Sequence, residues 1–127
     1  MDLQLQGKHV LITGGSKGIG LACARGFFEE GASVTLVGRN AGTLEAARVS
    51  LIATMPSAAA RIGVVSADLK DPAAAASAID QAEQNLGPVH ILVNSAGAAR
   101  RTPPDELTPQ HWRDAMDAKY FTYVNVI

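Results

Sequence analysis

The stretch that most constrains this chain is Val10–Gly20, VLITGGSKGIG. Three β-forming residues, Val10, Leu11 and Ile12, run into Thr13, and glycines stand at 14, 15, 18 and 20. Beyond Gly20 the period changes. Ile19, Ala22, Cys23, Gly26 and Phe27 recur at three- and four-residue steps, which predicts one face of a helix. The glycines therefore fill a turn between a buried strand and a helix start. Such a turn leaves backbone N–H groups free at the positive end of the helix, where a phosphate is readily held. Glycine suits it because a Cβ would block the approach of a pyrophosphate, or the φ > 0 backbone. A second strand at Ala32–Gly38 completes a βαβ unit, the context in which a glycine turn binds a dinucleotide. The plain alternative is an ordinary strand-to-helix turn.

The same reading extends along the chain. After a polar lead-in, Lys8–Thr13 is strand one and Gly18–Glu30 a helix, stopped by Gly31 as its cap. Asn40–Met55 is a second helix with Leu44, Ala47, Leu51, Ile52 and Met55 on one face, and Pro56 lies beyond its end. Arg61–Ala67 is strand three. Asp71-Pro72 opens a third helix, whose stripe is Ala75, Ile79, Ala82 and Leu86; Gly87-Pro88 closes it. Val89–Val93 is strand four, followed by Asn94-Ser95-Ala96-Gly97 and a polar loop from Ala98 to Leu107. Thr108-Pro109 starts a fourth helix, expected still to be running at Ile127. Strict β/α alternation implies a parallel sheet covered on both faces. Right-handed crossovers give the α/β, Rossmann-type strand order 3-2-1-4, with the crevice between strands 1 and 4. Gly14–Gly20 and Asn94–Gly97 both emerge there.

Composition narrows the function. A chain of 127 residues is one domain at most, and 47% hydrophobic against 18% charged content makes it globular rather than disordered. A net charge of −1 offers no footprint for nucleic acid or acidic lipid. No apolar run is long enough to span a membrane, and no signal-peptide pattern opens the chain. The single cysteine, Cys23, rules out an internal disulfide and fits the cytoplasm; on the helix face its role is packing. His9, His90 and His111 have no metal-ligand spacing.

The spacing Gly14-x-x-x-Gly18-x-Gly20 after Thr13 resembles the TGxxxGIG signature of the short-chain dehydrogenase/reductase family, in its compact oxidoreductase type. Extended, sugar-nucleotide-modifying members carry a different glycine spacing. Asn94-Ser95-Ala96-Gly97 resembles the family's NNAG, with Ser95 in the second place, and the resemblance runs the length of the chain. It implies a cofactor site made of Thr13, Gly14, Ser16, Lys17, Gly18, Ile19, Gly20, Arg39, Asp68, Leu69, Asn94, Ala96 and Gly97. Asp68 and Leu69 would hold the adenine, although Asp68 could equally cap the third helix. Asn94 would tie the central strands together. Strand four usually carries an acid where this chain has His90, which reads as structural.

An acidic residue at the end of strand two would bond a ribose 2′-OH and repel a 2′-phosphate. Val37-Gly38-Arg39-Asn40 holds no carboxylate there. Arg39 can pair with a 2′-phosphate through two parallel N–H bonds, and Lys17 adds a second positive charge. Both could instead be solvated surface cations. NADP-preferring members of the family show the same pair, so the resemblance implies NADP(H).

The family's reaction moves hydride between nicotinamide and a carbonyl or alcohol carbon. It relies on a tyrosine tuned by a lysine four residues on, an upstream serine, and an asparagine on the preceding helix. Tyr120 and Tyr123 are the only tyrosines, and Val124 and Ile127 stand four residues after them, so no YxxxK exists. The family's asparagine falls seven residues after Trp112, at Lys119. A helical count puts Lys119 on one stripe with Trp112, Ala115, Met116, Tyr123 and Ile127, either facing the active site or snorkelling to solvent; the count sends Asn125 to the far side. Residues 1–127 thus read as one NADP-binding half of a doubly wound fold, inactive alone. A small-molecule substrate and a homo-oligomer are expected of the parent, where the resemblance implies that a fifth strand and the next helix cover strand four and the long helices build the subunit contact. This chain alone, with strand four an apolar edge, is expected to self-associate. The alternative is a non-catalytic nucleotide-binding or dimerisation module. Arg100 and Arg101 would meet an acidic substrate tail or simply be solvated.

Overall fold

Short runs rich in valine, isoleucine and leucine make four strands: β1 (His9–Thr13), β2 (Ser33–Gly38), β3 (Ile62–Ser66) and β4 (Ile91–Asn94). Between them lie α1 (Gly18–Glu29), α2 (Ala41–Thr54) and α3 (Pro72–Leu86). The computed structural model describes Met1–Ile127 and joins the strands in the order β3-β2-β1-β4, all parallel. This is the expected α/β arrangement, a truncated doubly wound sheet with helices on both faces.

Alternation along β1 splits the core. Val10 and Ile12 join Val34 and Leu36 under α1 and α2, where Ala24, Phe28, Leu44, Ala47 and Leu51 meet them. Leu11 faces the other way, with Val37 and Val65, under Ala75, Ala78 and Ala82 of α3. Alanines let α3 lie close to the sheet. The expected stripe there is shifted: Ala78 is buried, while Ile79 and Leu86 are half-buried at its margin. The α1 stripe is shifted by one residue too. Gly20, Ala24 and Phe28 are buried; of the expected stripe, Cys23 and Phe27 are half-buried against the core, whereas Ile19, Ala22 and Gly26 are exposed. Close approach decides this face, since small residues at 20 and 24 let the helix sit on the turn.

The helix ends follow local chemistry. Asn40 Oδ1 accepts the Thr43 N–H at 3.0 Å and Asp71 Oδ1 that of Ala73 at 3.1 Å, capping α2 and α3. Gly31, at φ +94°, closes α1 as the expected glycine cap: its N–H bonds Phe28 O and that of Ala32 bonds Phe27 O, a Schellman pair. Pro56–Arg61 is a 3₁₀ turn rather than a plain connection into strand three. Arg61 is drawn out of the strand because its guanidinium covers the Phe28 ring at 4.5 Å and donates to Phe28 O and Ala32 O.

Strand four begins later than Val89 because side chains take over its first bonds. Glu83 Oε1 accepts the Val89 N–H at 2.9 Å, and His90 Nδ1 accepts the His9 N–H at 3.0 Å. The buried His9 ring bridges the Gly87 carbonyl (2.7 Å) and Thr35 Oγ1 (2.8 Å). The carbonyl only accepts, so His9 Nδ1 carries a proton. Both histidines here serve strand pairing.

The fourth helix is α4 (Pro109–Met116), a π turn (Asp117–Phe121) and α5 (Thr122–Val124). Thr108 and His111 form a reciprocal capping box at its start. Helical structure stops at Val124 rather than running through Ile127. The N–H groups of Val126 and Ile127 close back three residues, to Tyr123 and Val124, as a helix end does when its last carbonyls lack the usual partners. No helix is long and apolar enough to cross a membrane.

Candidate functional site

The C-terminal ends of all four strands open onto one cavity of about 370 Å³. Gly14, Ser16 and Lys17 line it after β1, Val37–Asn40 at the end of β2 and just beyond, Ala67–Lys70 after β3, and Ala96–Ala98 after β4. Thr43 of α2 contributes from one side, and Ala118 and Thr122 close it from the fourth helix. This is the crevice where strand order reverses, at the junction of β1 with β2 and β4.

Two glycines make the junction possible. Gly14 has φ +65°, and a Cβ there would lie 2.8 Å from Ser95 O and 2.9 Å from the Ala96 backbone. A Cβ on Gly20 would overlap the Gly14 carbonyl. Helix α1 is thereby seated directly on the turn. Its cap, Lys17, offers no side-chain bond to the first helical N–H groups, so these donors are left for an anion. The donor set fits a pyrophosphate at the turn.

Thr13 lies behind the wall. Its buried hydroxyl accepts the N–H groups of Ser95 and Ala96, both at 3.1 Å, and donates to Val93 O at 3.4 Å. It latches the exit of β4 onto β1, and its bonding capacity is used up. Gly18, Ile19, Gly20 and Asn94 likewise lie outside the cavity lining. Ile19 is 78% exposed at the mouth of α1, and Asn94 Oδ1 is buried without a partner.

Gly14, Ser16, Lys17, Arg39, Asp68, Leu69, Ala96 and Gly97 are the expected site residues that the structure brings together around the cavity. No carboxylate pairs with Lys17 or Arg39. Ser66 Oγ donates to Arg39 O at 3.0 Å and fixes that backbone. The alternative left for Asp68 is resolved locally: Asp71 caps α3. Asp68 instead turns its carboxylate onto its own loop, where Oδ1 accepts the Lys70 N–H at 3.1 Å and Oδ2 lies 3.9 Å from Lys70 Nζ. Glu45, held below the usual carboxylate range by its hydrogen bonds from Arg48, is not part of the cavity.

The fourth helix corrects the helical count. Trp112, Ala115, Met116 and Lys119 are all exposed. The face turned to the body carries Ala118, Thr122, Asn125 and Val126. Apolar periodicity found an apolar face, but not the one that is covered, and the π turn holds more residues per turn than a regular count assumes. Lys119 is therefore solvent-exposed, with its stem against Gly97; Cγ lies 3.4 Å from where a Gly97 Cβ would stand. Asn125 does not point away: Nδ2 donates to Leu69 O at 2.9 Å and Lys70 O at 3.3 Å. Thr43, Lys70, Thr122 and Asn125 were missed in the sequence reading. The position of Lys70, two residues after Asp68, was the one available signal.

A short chain dehydrogenase family model matches residues 8–127. Gluconate 5-dehydrogenase of Gluconobacter oxydans is 37% identical over 123 residues, covering 97% of this chain and 45% of that protein. The NADP-dependent (R)-specific alcohol dehydrogenase of Lentilactobacillus kefiri is 39% identical over 113 residues, 89% of this chain and 43% of that one. Among solved structures, L-sorbose reductase from Gluconobacter frateurii, complexed with NADPH and L-sorbose, superposes with a TM-score of 0.89 at 32% identity. That match covers 99% of this chain and 47% of the reductase. The chain thus spans less than half the length of these relatives. On the family match, the strand order and the glycine turn together, the chain belongs to the short chain dehydrogenase family.

Proposed function

We propose that this chain is the NADP(H)-binding half of an oxidoreductase that, as a whole, transfers hydride between NADP(H) and a carbonyl or alcohol substrate. The observation that carries the reading is the pairing of Lys17 and Arg39 on one cavity, with no carboxylate at the end of β2. Two of the relatives above are described with NADP or NADPH, which supports it. NADPH, when bound, supplies the hydride. The chain's own residues bind and orient: the Gly14–Gly20 turn and the first N–H groups of α1 hold the pyrophosphate, Lys17 and Arg39 the 2′-phosphate. Asp68 and Leu69 hold the adenine, while Ala96 and Gly97 leave room beside β4. Thr13 and Asn94 act from behind, by setting the β1–β4 geometry.

NADPH is expected to bind more tightly than NADH by about 1.5–3 kcal/mol, roughly 10- to 150-fold, as charge-assisted bonds allow. The double change Lys17→Ala with Arg39→Asp should remove or reverse that preference. Equal affinity of the unaltered chain for both cofactors in a calorimeter would end the reading. A non-catalytic binding module that uses only this half is the second reading; residues 1–127 hold a cavity for a nucleotide and no YxxxK. The mass of the protein isolated intact from its source separates the two, since the oxidoreductase needs a second half.

No basic surface excess suggests a nucleic-acid or membrane partner, and we place the protein in the cytoplasm on its single cysteine. Self-association of the 127-residue chain by itself fits the outer edge of β4, the margin of its four-stranded sheet, and the exposed Trp112, Met116, Tyr120, Phe121 and Val124. Light scattering at micromolar concentration should report a dimer or larger species; a strict monomer would count against this surface.

A further inference from the structure

We propose that Lys70 is a third cation of the nucleotide cavity, and that it selects for the 2′-phosphate of NADP(H) alongside Lys17 and Arg39. The inference rests on the NADP(H) reading and adds a residue that the glycine turn and the end of β2 do not reveal. Lys70 lines the same cavity as Lys17 and Arg39, from the loop that leaves β3.

That loop is anchored at every residue around Lys70 except the side chain itself. Leu69 is buried in the core. Asn125 Nδ2, reaching from the end of the fourth helix, donates to both Leu69 O and Lys70 O. The Lys70 N–H is held by Asp68 Oδ1 at 3.1 Å. Only the ammonium is left to move, and it lies 3.9 Å from Oδ2 of Asp68, which lines the same cavity. This contact is long and lies between half-exposed groups, so giving it up for a stronger anion costs little. Lys17, Arg39 and Lys70 against Asp68 leave the cavity wall cationic. A phosphate monoester carries close to two negative charges and three acceptor oxygens, so it suits such a wall better than a ribose hydroxyl does.

The test measures affinities of the full chain for NADPH, NADH, 2′,5′-ADP and 5′-ADP by calorimetry, with Lys70→Met and Lys70→Arg beside the unaltered protein. Thermal unfolding of each variant controls for folding. Expected for Lys70→Met is a loss of about fivefold in affinity for NADPH and 2′,5′-ADP, with NADH and 5′-ADP unchanged, as for one exposed ion pair. Lys70→Arg should restore the discrimination, and added salt should shrink it. If the unaltered protein prefers NADPH but Lys70→Met keeps the same ratio, the assignment of Lys70 is overturned while the NADP(H) reading stands. An equal loss for phosphorylated and unphosphorylated ligands would also overturn it, since that marks a loop-shaping role. No preference in the unaltered protein would instead remove the NADP(H) reading itself.

Discussion

NADPH oxidation by the 127-residue chain is expected to stay at the level of the buffer blank, whatever carbonyl compound is offered. Positioned acid–base groups contribute about 10²- to 10⁴-fold to such reactions, and this chain has no phenol with a lysine one turn on. Tyr120 is 55% exposed, stacks edge-on against Phe121 at 5.2 Å, and does not line the cavity. Tyr123 is half-buried and likewise absent from the wall. Neither can reach a substrate beside Gly97, so Tyr120→Phe and Tyr123→Phe should change nothing. The measurement is absorbance at the nicotinamide band over hours. Steady turnover abolished by Tyr120→Phe would mean that this chain carries its own proton donor, and that the two-half reading is wrong.

Gly20→Ala should be the most damaging single methyl in the chain, and Gly26→Ala, six residues along the same helix, should stabilise it. At position 20 the new carbon meets the Gly14 carbonyl, with Gly15 Cα at 3.2 Å. All of these are backbone atoms, so relief requires moving α1 off the turn. Overpacking of this kind costs about 1–3 kcal/mol or more, against a total stability of about 5–15 kcal/mol for a domain. A fall in Tm of roughly 5–15 °C follows, together with loss of nucleotide affinity as the helix start shifts. At position 26 nothing lies within 4 Å and the backbone is helical. There alanine gains about 0.5–1 kcal/mol by helix propensity. Urea or thermal unfolding of the two variants reads both signs; a Gly20→Ala protein as stable as its parent would show that α1 is not seated as described.

Strand order, caps and the glycine turn were legible because each has a local cause: a turn residue, a capping side chain, a period. What escaped the sequence has non-local causes. Of the α1 stripe Ile19, Ala22, Cys23, Gly26 and Phe27, only Cys23 and Phe27 pack against the core, because contact with the turn centres the buried face on Gly20, Ala24 and Phe28. Val89 and His90 look like strand, but Glu83 Oε1 takes the Val89 N–H and the His90 ring takes the His9 N–H, so that only the bond from the His90 N–H to His9 O joins them to β1. Arg61 leaves its strand for the Phe28 ring, a partner 33 positions away. At the cavity, Lys17, Arg39 and Asp68 were legible from their places after strands. Thr122 and Asn125 were not, because they depend on how the fourth helix is turned.

That turning has a consequence for how the protein can vary. Because Asp117–Phe121 is a π turn, the number of residues between Thr108 and Thr122, more than their chemistry, sets which side chains meet the sheet. Deleting one of them would let the turn close to α geometry with Thr122, Asn125 and Val126 still facing the sheet, whereas adding one would swing them round by about 100°. Asn125 would lose both loop carbonyls at once, and no single replacement of Asn125 could return them. This segment is thus tolerant of substitution along its exposed side and of losing one residue, and intolerant of gaining one.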